Sequence, residues 1–306
     1  MVVAATGFFD GVHLGHRIIL DKVRSVARER GEESVAVTFW PHPRNVLQQD
    51  ADRLRLLNSL EEKKSLIMAS GIDRVVVLPF DREFSSLSAE EFIRRYLVER
   101  LGVSGLILGY DHRFGHGAGC DVSALADVVR KCGVEPVICD RYVMPDGTPV
   151  SSTAVRKALD SCQVERAAEM LGYDYSLSGV VVSGNRIGRT LGFPTANMEL
   201  YDPLKVVPGN GVYQVEVKVC GDSYRGVCNI GVRPTVGSGG ARVIETHILD
   251  FNEDIYGLDI QITFRRYIRP ERKFGSLEEL KARLHQDILT VHRRDVSAER
   301  HPATGC

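Results

Sequence analysis

The chain has 306 residues, 43% hydrophobic and 26% charged, enough to build two ordinary soluble domains without cross-links. Its 39 basic and 40 acidic residues nearly cancel, and they balance in both halves, which disfavours a nucleic-acid role or one on anionic membranes. No apolar run approaches the ~20 residues of a membrane span, MVVAATGFFDG lacks the basic start of a signal peptide, and seven cysteines without a CxxC pair fit a reducing cytoplasm better than a disulfide framework or zinc ribbon.

Residues 2–172 read as alternating β and α. Val2–Thr6 is a short apolar strand that ends in a Gly/Asp/His loop, and Leu14–Arg30 is the helix after it. Ser34–Phe39, Arg74–Leu78, Gly105–Leu108 and Val134–Cys139 are further runs of strand length, with helices predicted around 60–70, 88–101 and 121–132. Short buried strands separated by helices predict a parallel, doubly wound α/β sheet, which binds ligands at the carboxyl ends of its strands. The pattern changes near residue 176. SGVVVSG, GVYQVEVKVC, YRGVCNIG, RVIETHILDF and LDIQITFRRYI alternate and are β-rich, predicting an antiparallel barrel or compact sandwich, closed by a helix over about Ser276–Val291. The boundary is expected near 173–178, giving domains 1–174 and 175–296, and residues 297–306 read as a disordered tail.

Three segments of the first half carry chemistry. GFFDGVHLGH (7–16) places His13 and His16 at a strand-to-helix turn, where a helix N-terminus favours phosphate and Gly15 permits close approach. SSTAVR (151–156) offers good N-cap residues, with Arg156 one turn on as a bidentate phosphate donor. GYDHRFGHGAG (109–119) follows an apolar strand, as a ligand-facing loop would. The run EEKK (61–64) reads as a solvated helix face, and the single Trp40 as packing or a pocket wall.

These segments resemble the adenylyltransferase module of the bacterial bifunctional riboflavin kinase/FMN adenylyltransferase (FAD synthetase) family. GVVVSGNRIGRTLGFPTAN (179–197), NIGVRPTV (229–236) and IETHILDFNEDIYG (244–257) are similar to that family's riboflavin kinase module, in the same order and over nearly the whole chain. Phe8 stands where the family often has Asn or a small residue, Trp40 where Glu is common, and His112 where Phe is frequent. The resemblance implies a Rossmann-like nucleotidyltransferase followed by a β-barrel kinase. It implies ATP-dependent conversion of riboflavin to FMN, then of FMN to FAD and pyrophosphate, with Mg²⁺.

The family pattern assigns Glu245 as the kinase base and Thr195 and Asn197 to Mg²⁺ and ATP. Gly184 and Gly188 belong to an ATP loop that is not a Walker A motif, since no GK[ST] follows. In the adenylyltransferase half, His13 and His16 are assigned to the triphosphate and Arg156 to a charge clamp. Gly7, Phe9, Asp10 and Gly15 also fall to ATP, as do Ser152 and Thr153 at the helix start. Asp111, Arg113 and Arg269 are the flavin-side candidates, with an exposed basic strand end as the alternative for Arg269. Turnover at both sites, loss of the adenylyltransferase activity, and flavin binding without turnover remain open, although a mere binder has no need of a base. The sequence leaves the oligomeric state open.

Overall fold

A computed structural model describes residues 1–42, 46, 55–110, 121–184, 192–232, 242–272 and 274–298, with side chains as far as Val291 in the last helix. The chain divides into two compact units. The first is Met1–Val155 with Met170–Gly172, and the second is Arg156–Glu169 with Tyr173–Cys306.

The first unit is built on five parallel strands: β1 (Val2–Thr6), β2 (Glu33–Trp40), β3 (Arg74–Pro79), β4 (Val103–Gly109) and β5 (Glu135–Cys139), in the order β3-β2-β1-β4-β5. Its helices are α1 (Leu14–Arg30), α2 (Leu60–Ala69), the single turns α3 (Arg82–Ser85) and α4 (Ala89–Phe92), and α5 (Val122–Lys131). A π-helical stretch, Ile93–Glu99, continues α4, where the sequence predicted one α-helix over 88–101.

Period-two alternation explains the double winding. Val2 and Ala4 face a core with Phe92, Ile93, Leu97 and Val129. Val3 and Ala5 face the other core, against Leu20, Val23 and Ala27 of α1 and Ile67 of α2. Helix α1 ends where Gly31 takes up a left-handed conformation and its N–H reaches Ala27 and Arg28 carbonyls. The chain runs outward through β1, β2 and β3, then returns to place β4 beside β1. That reversal is the switch point at which such sheets bind ligands.

Helices α6 (Ser152–Asp160) and α7 (Val164–Leu171) follow, and the division between units falls inside α6. The second unit is a closed antiparallel barrel of β6 (Ser176–Val182), β7 (Ala196–Leu200), β8 (Gly211–Val219), β9 (Asp222–Val232), β10 (Arg242–Ile248) and β11 (Asp259–Arg269), in the order β10-β7-β6-β11-β8-β9. The β9–β10 pairing closes the ring and removes free sheet edges. Val215 and Val217 of β8 and Ile260, Ile262 and Phe264 of β11 point inward. Helix α8 (Leu277–Ala298) ends the described chain, seven residues beyond the predicted Val291.

Candidate functional site

The turn after β1 carries unusual backbone. Phe9 and Val12 have φ of 48° and 35°, and Gly11 between them has 85°. Positive φ is costly for an aromatic and more so for a β-branched residue, and strain of this kind concentrates at functional sites. Gly11 is required twice over, since a Cβ there would lie 2.6 Å from Leu57 Cδ1.

The turn delivers His13 as the N-cap of α1, where its Nδ1 accepts from His16 N–H at 3.3 Å. That bond puts the His13 proton on Nε2. The two imidazoles stack, with centroids 3.6 Å apart and planes 12° from parallel, and Phe9 meets His16 edge-on. Burial holds the His16 pKa well below the ordinary histidine value, and the charges of His13 and Lys63 push it the same way. His16 is therefore neutral at pH 7. The pair offers N–H donors at a positive helix end rather than two cations.

The second predicted segment arrives at the same place. Ser152, at the start of α6, donates its Oγ proton to the Asp10 carbonyl at 2.8 Å, and Ser151 Oγ accepts from Ala154 N–H at 3.1 Å. The Ser152 hydroxyl proton is thus committed to joining the two motifs, while Thr153 is exposed beside it. Arg156, half-buried farther along α6, falls in the second unit. The Asp10 carboxylate accepts from Leu57 N–H (2.9 Å) and Asn58 N–H (3.3 Å), so it braces the turn rather than facing solvent. Gly7 packs on the Phe9 ring, and Gly15 lies against the His13 ring. Asp111 and Arg113 lie outside the described residues, as do His112 and Gly188.

Lys63 corrects the reading of EEKK as a solvated face. It is only 3% exposed. Its Nζ donates to the Phe8 carbonyl at 3.1 Å and lies 4.7 Å and 5.9 Å from the Phe8 and Trp40 ring centroids. Burial lowers its pKa to about 8, against the opposing pull of Asp10.

In the second unit, β10 alternates. Ile244, Thr246 and Ile248 are buried in the barrel, while Glu245 and His247 point out of it. The register sets Glu245 opposite Asn197 of β7 on one side and opposite Asn229 of β9 on the other. Directly paired residues share a face. Three polar side chains therefore form a row across three strands.

Two cavities meet at this row. One of about 450 Å³ is lined by Gly184, Gly192, Thr195, Asn197 and the segment Phe251–Tyr256. The other, of about 280 Å³, is lined by Glu245, Asn229, His247, Arg269 and Phe274, with Leu280, Leu284 and Ile288 of α8 supplying an apolar wall. Thr195 borders both. His247, unassigned from sequence, places a ring nitrogen 2.8 Å from the Pro194 carbonyl and so steadies the loop that carries Thr195. Arg269 lines the second cavity, and it is not a free basic strand end. Its guanidinium forks onto Asp287 of α8 (Nε 3.0 Å from both oxygens, Nη2 2.7 Å from Oδ2) and lies 5.8 Å from the Phe274 ring centroid. Asp287 is 1% exposed and also meets Arg283 at 3.2 Å. Removing one partner of such a buried pair costs about 3–5 kcal/mol, so Asp287 ties α8 to the cavity wall.

The arrangement suits an alcohol nucleophile. One cavity mixes polar and apolar lining and the other has an apolar wall, as a flat ring system needs. The Glu245 carboxylate lines the second, opposite Asn197 of the first. Hard oxygen donors from Thr195 and Asn197 fit Mg²⁺, and among the described residues no cluster of three or more His, Cys, Asp or Glu side chains is arranged to hold a metal. Among those residues, too, no helix is long and apolar enough to cross a membrane.

Comparison with known proteins agrees with both halves. The FAD synthetase family model matches residues 1–154, and the riboflavin kinase model matches 171–294. The chain is 40% identical over 290 residues to the bifunctional riboflavin kinase/FMN adenylyltransferase of Escherichia coli K12, covering 94% of this chain and 91% of that protein. It is 37% identical over 288 residues to the enzyme of the same description from Bacillus subtilis, covering 93% and 90%. Among solved structures, a Streptococcus pneumoniae protein described as a macrolide-efflux protein superposes with a TM-score of 0.88 at 30% identity, over 95% of this chain and 94% of that one. That likeness carries the two-module fold, and the efflux description is said of that protein alone. With both family models matched in order and full-length relatives at this identity, the chain belongs to the bifunctional riboflavin kinase/FMN adenylyltransferase family, an enzyme that forms FMN and then FAD.

Proposed function

We propose that the two reactions occupy separate sites, FMN formation on the barrel and FAD formation at the turn between β1 and α1. The modules would span residues 1–174 and 175–296. The observation that carries the kinase half is the register that sets Glu245 between Asn197 and Asn229, beside two cavities that share Thr195.

In the first reaction the ribityl primary hydroxyl attacks the γ-phosphorus of ATP. Glu245 takes the hydroxyl proton as the new O–P bond forms, and ADP leaves with the β–γ bridging oxygen. The isoalloxazine would lie in the cavity walled by Phe274, Leu280, Leu284 and Ile288, and ATP in the cavity lined by Gly184 and Asn197. Thr195 and Asn197 would hold Mg²⁺, which supplies charge neutralisation on the phosphates.

In the second reaction the nucleophile, the FMN phosphate, is already anionic and needs no base. An FMN oxygen attacks the α-phosphorus, and pyrophosphate departs. The task is placement and charge stabilisation, which His13 and His16 serve as donors, with the α1 terminus and Thr153 beside them. Arg156 and the flavin-side pair Asp111 and Arg113 complete this reading as sequence-based assignments. Seven cysteines without a CxxC pair support a reducing, cytoplasmic setting for this work.

Gly184→Ala tests the assignment of the kinase ATP site. A Cβ at position 184 would lie 2.2 Å from Asn197 Nδ2, so the amide must swing away. The KM for ATP in FMN formation is expected to rise about tenfold, the worth of one polar contact of ~1.4 kcal/mol. The KM for ATP in FAD formation should not change. Equal shifts in both steps, or in neither, would remove Asn197 from the kinase ATP site.

A further inference from the structure

Lys63 is a buried cation that neither reaction, as described so far, uses. It is the fourth residue of α2, whose start is fixed by a capping box: Ser59 Oγ accepts from Glu62 N–H, and Glu62 Oε2 accepts from Ser59 N–H. The segment just before that cap is held to the β1–α1 turn by the Asp10 carboxylate through Leu57 and Asn58. Helix α2 is thus anchored where Lys63 can reach the turn.

The group it reaches is the Phe8 carbonyl, which Thr38 Oγ1 also engages at 3.3 Å. Two donors on one carbonyl fix the peptide plane between Phe8 and Phe9, immediately ahead of the positive φ of Phe9. The next residues along the chain are Asp10, Gly11, Val12 and His13. An error in this plane is carried directly to both imidazoles.

The rings of Phe8 and Trp40 both lie near the Lys63 ammonium. A carboxylate at 40 would neutralise the charge, whereas aromatic faces stabilise it without cancelling it. The ammonium therefore remains a positive charge next to His16, in a pocket where Asp10 is the acidic neighbour that interacts with it.

We propose that Lys63 is a positioning residue for adenylyl transfer, holding the strained β1–α1 turn through the Phe8 carbonyl and lending a positive charge to the His13–His16 site. The proposal rests on the assignment of that turn to the FAD-forming reaction.

The test uses the full chain carrying Lys63→Met, Lys63→Gln or Lys63→Arg, with FMN formation and FMN adenylylation assayed separately and melting temperature recorded. Lys63→Met is expected to lower kcat for FAD formation about 10²-fold, the cost of slight misplacement at a reacting centre, and to leave FMN formation within twofold. Lys63→Arg, which keeps donor and charge, should recover at least tenfold of that loss. Lys63→Gln, which keeps only a donor, should recover less. If Lys63→Met does not fold, the Arg and Gln variants still decide, since equal kcat values for them and the parent would overturn the charge role. Loss of stability with unchanged kcat would reduce Lys63 to a packing residue. His16→Ala, run in parallel, separates the two levels. Retained FAD synthesis in His16→Ala overturns the site itself, while loss in His16→Ala with full activity in Lys63→Met overturns this proposal alone.

Discussion

Glu245→Gln is expected to cripple FMN formation and to leave FMN adenylylation untouched. Glutamine keeps the shape of the side chain and its neighbours on the Asn197–Glu245–Asn229 row. It removes only the ability to accept a proton from the ribityl hydroxyl. A positioned general base contributes about 10²- to 10⁴-fold, so the expected loss in kcat is of that order, with the KM for ATP little changed. Chromatographic separation of riboflavin, FMN and FAD reads both steps in one experiment. A Glu245→Gln protein that phosphorylates riboflavin at the parent rate would show that the alcohol needs no base from β10.

His16→Ala is expected to give the opposite phenotype, with riboflavin phosphorylated normally and FMN accumulating unadenylylated. The expected loss in FAD formation is about 10²- to 10³-fold, as for removal of one oriented donor from a site of developing charge. The effect arises from a neutral ring, because burial, His13 and Lys63 all hold the His16 pKa below its ordinary value. The same depression has a stability consequence with a definite sign. His16 binds its proton more weakly folded than unfolded, so its contribution is fully present above about pH 6.5 and is lost as the pH falls below that value. His16→Ala should therefore weaken the acid sensitivity of melting between pH 7 and pH 5. An unchanged pH profile of melting would mean that the ring is solvated and protonates freely.

Much of the first unit was legible because its signals are local. Each strand is a short apolar run, and Val2–Thr6 and Leu14–Arg30 match the predicted bounds because a Gly/Asp/His turn separates them and Gly31 stops the helix. Strand β7 carries no strand signal of its own in the sequence. Its residues, ANMEL, include no β-branched side chain, and pairing with β6 and β10 makes it a strand. Helix α8 outruns its predicted end because its apolar periodicity stops at Val291 while HRRDVSA continues in helix-compatible residues.

The candidate site is legible where chemistry writes a motif. Capping and stacking bring His13 and His16 together, strand register pairs Asn197 with Glu245, and Thr195 lines both cavities. Lys63 was hidden inside EEKK, where pattern cannot tell which of four charged residues turns inward. Asp287 was one acid among the charges of α8, and its pairing with Arg269 depends on contact between elements eighteen positions apart. His247 was visible only as a neighbour of Glu245, since its role is a bond to the Pro194 carbonyl of another loop.

The central claim is that the two reactions use independent sites joined by FMN. The direct measurement mixes purified Glu245→Gln and His16→Ala proteins with riboflavin, ATP and Mg²⁺ and follows FAD. Neither variant alone should make FAD from riboflavin, and the mixture should make it after a lag in which FMN appears. A mixture that yields no FAD, although each variant retains its other activity on supplied substrate, would contradict the claim.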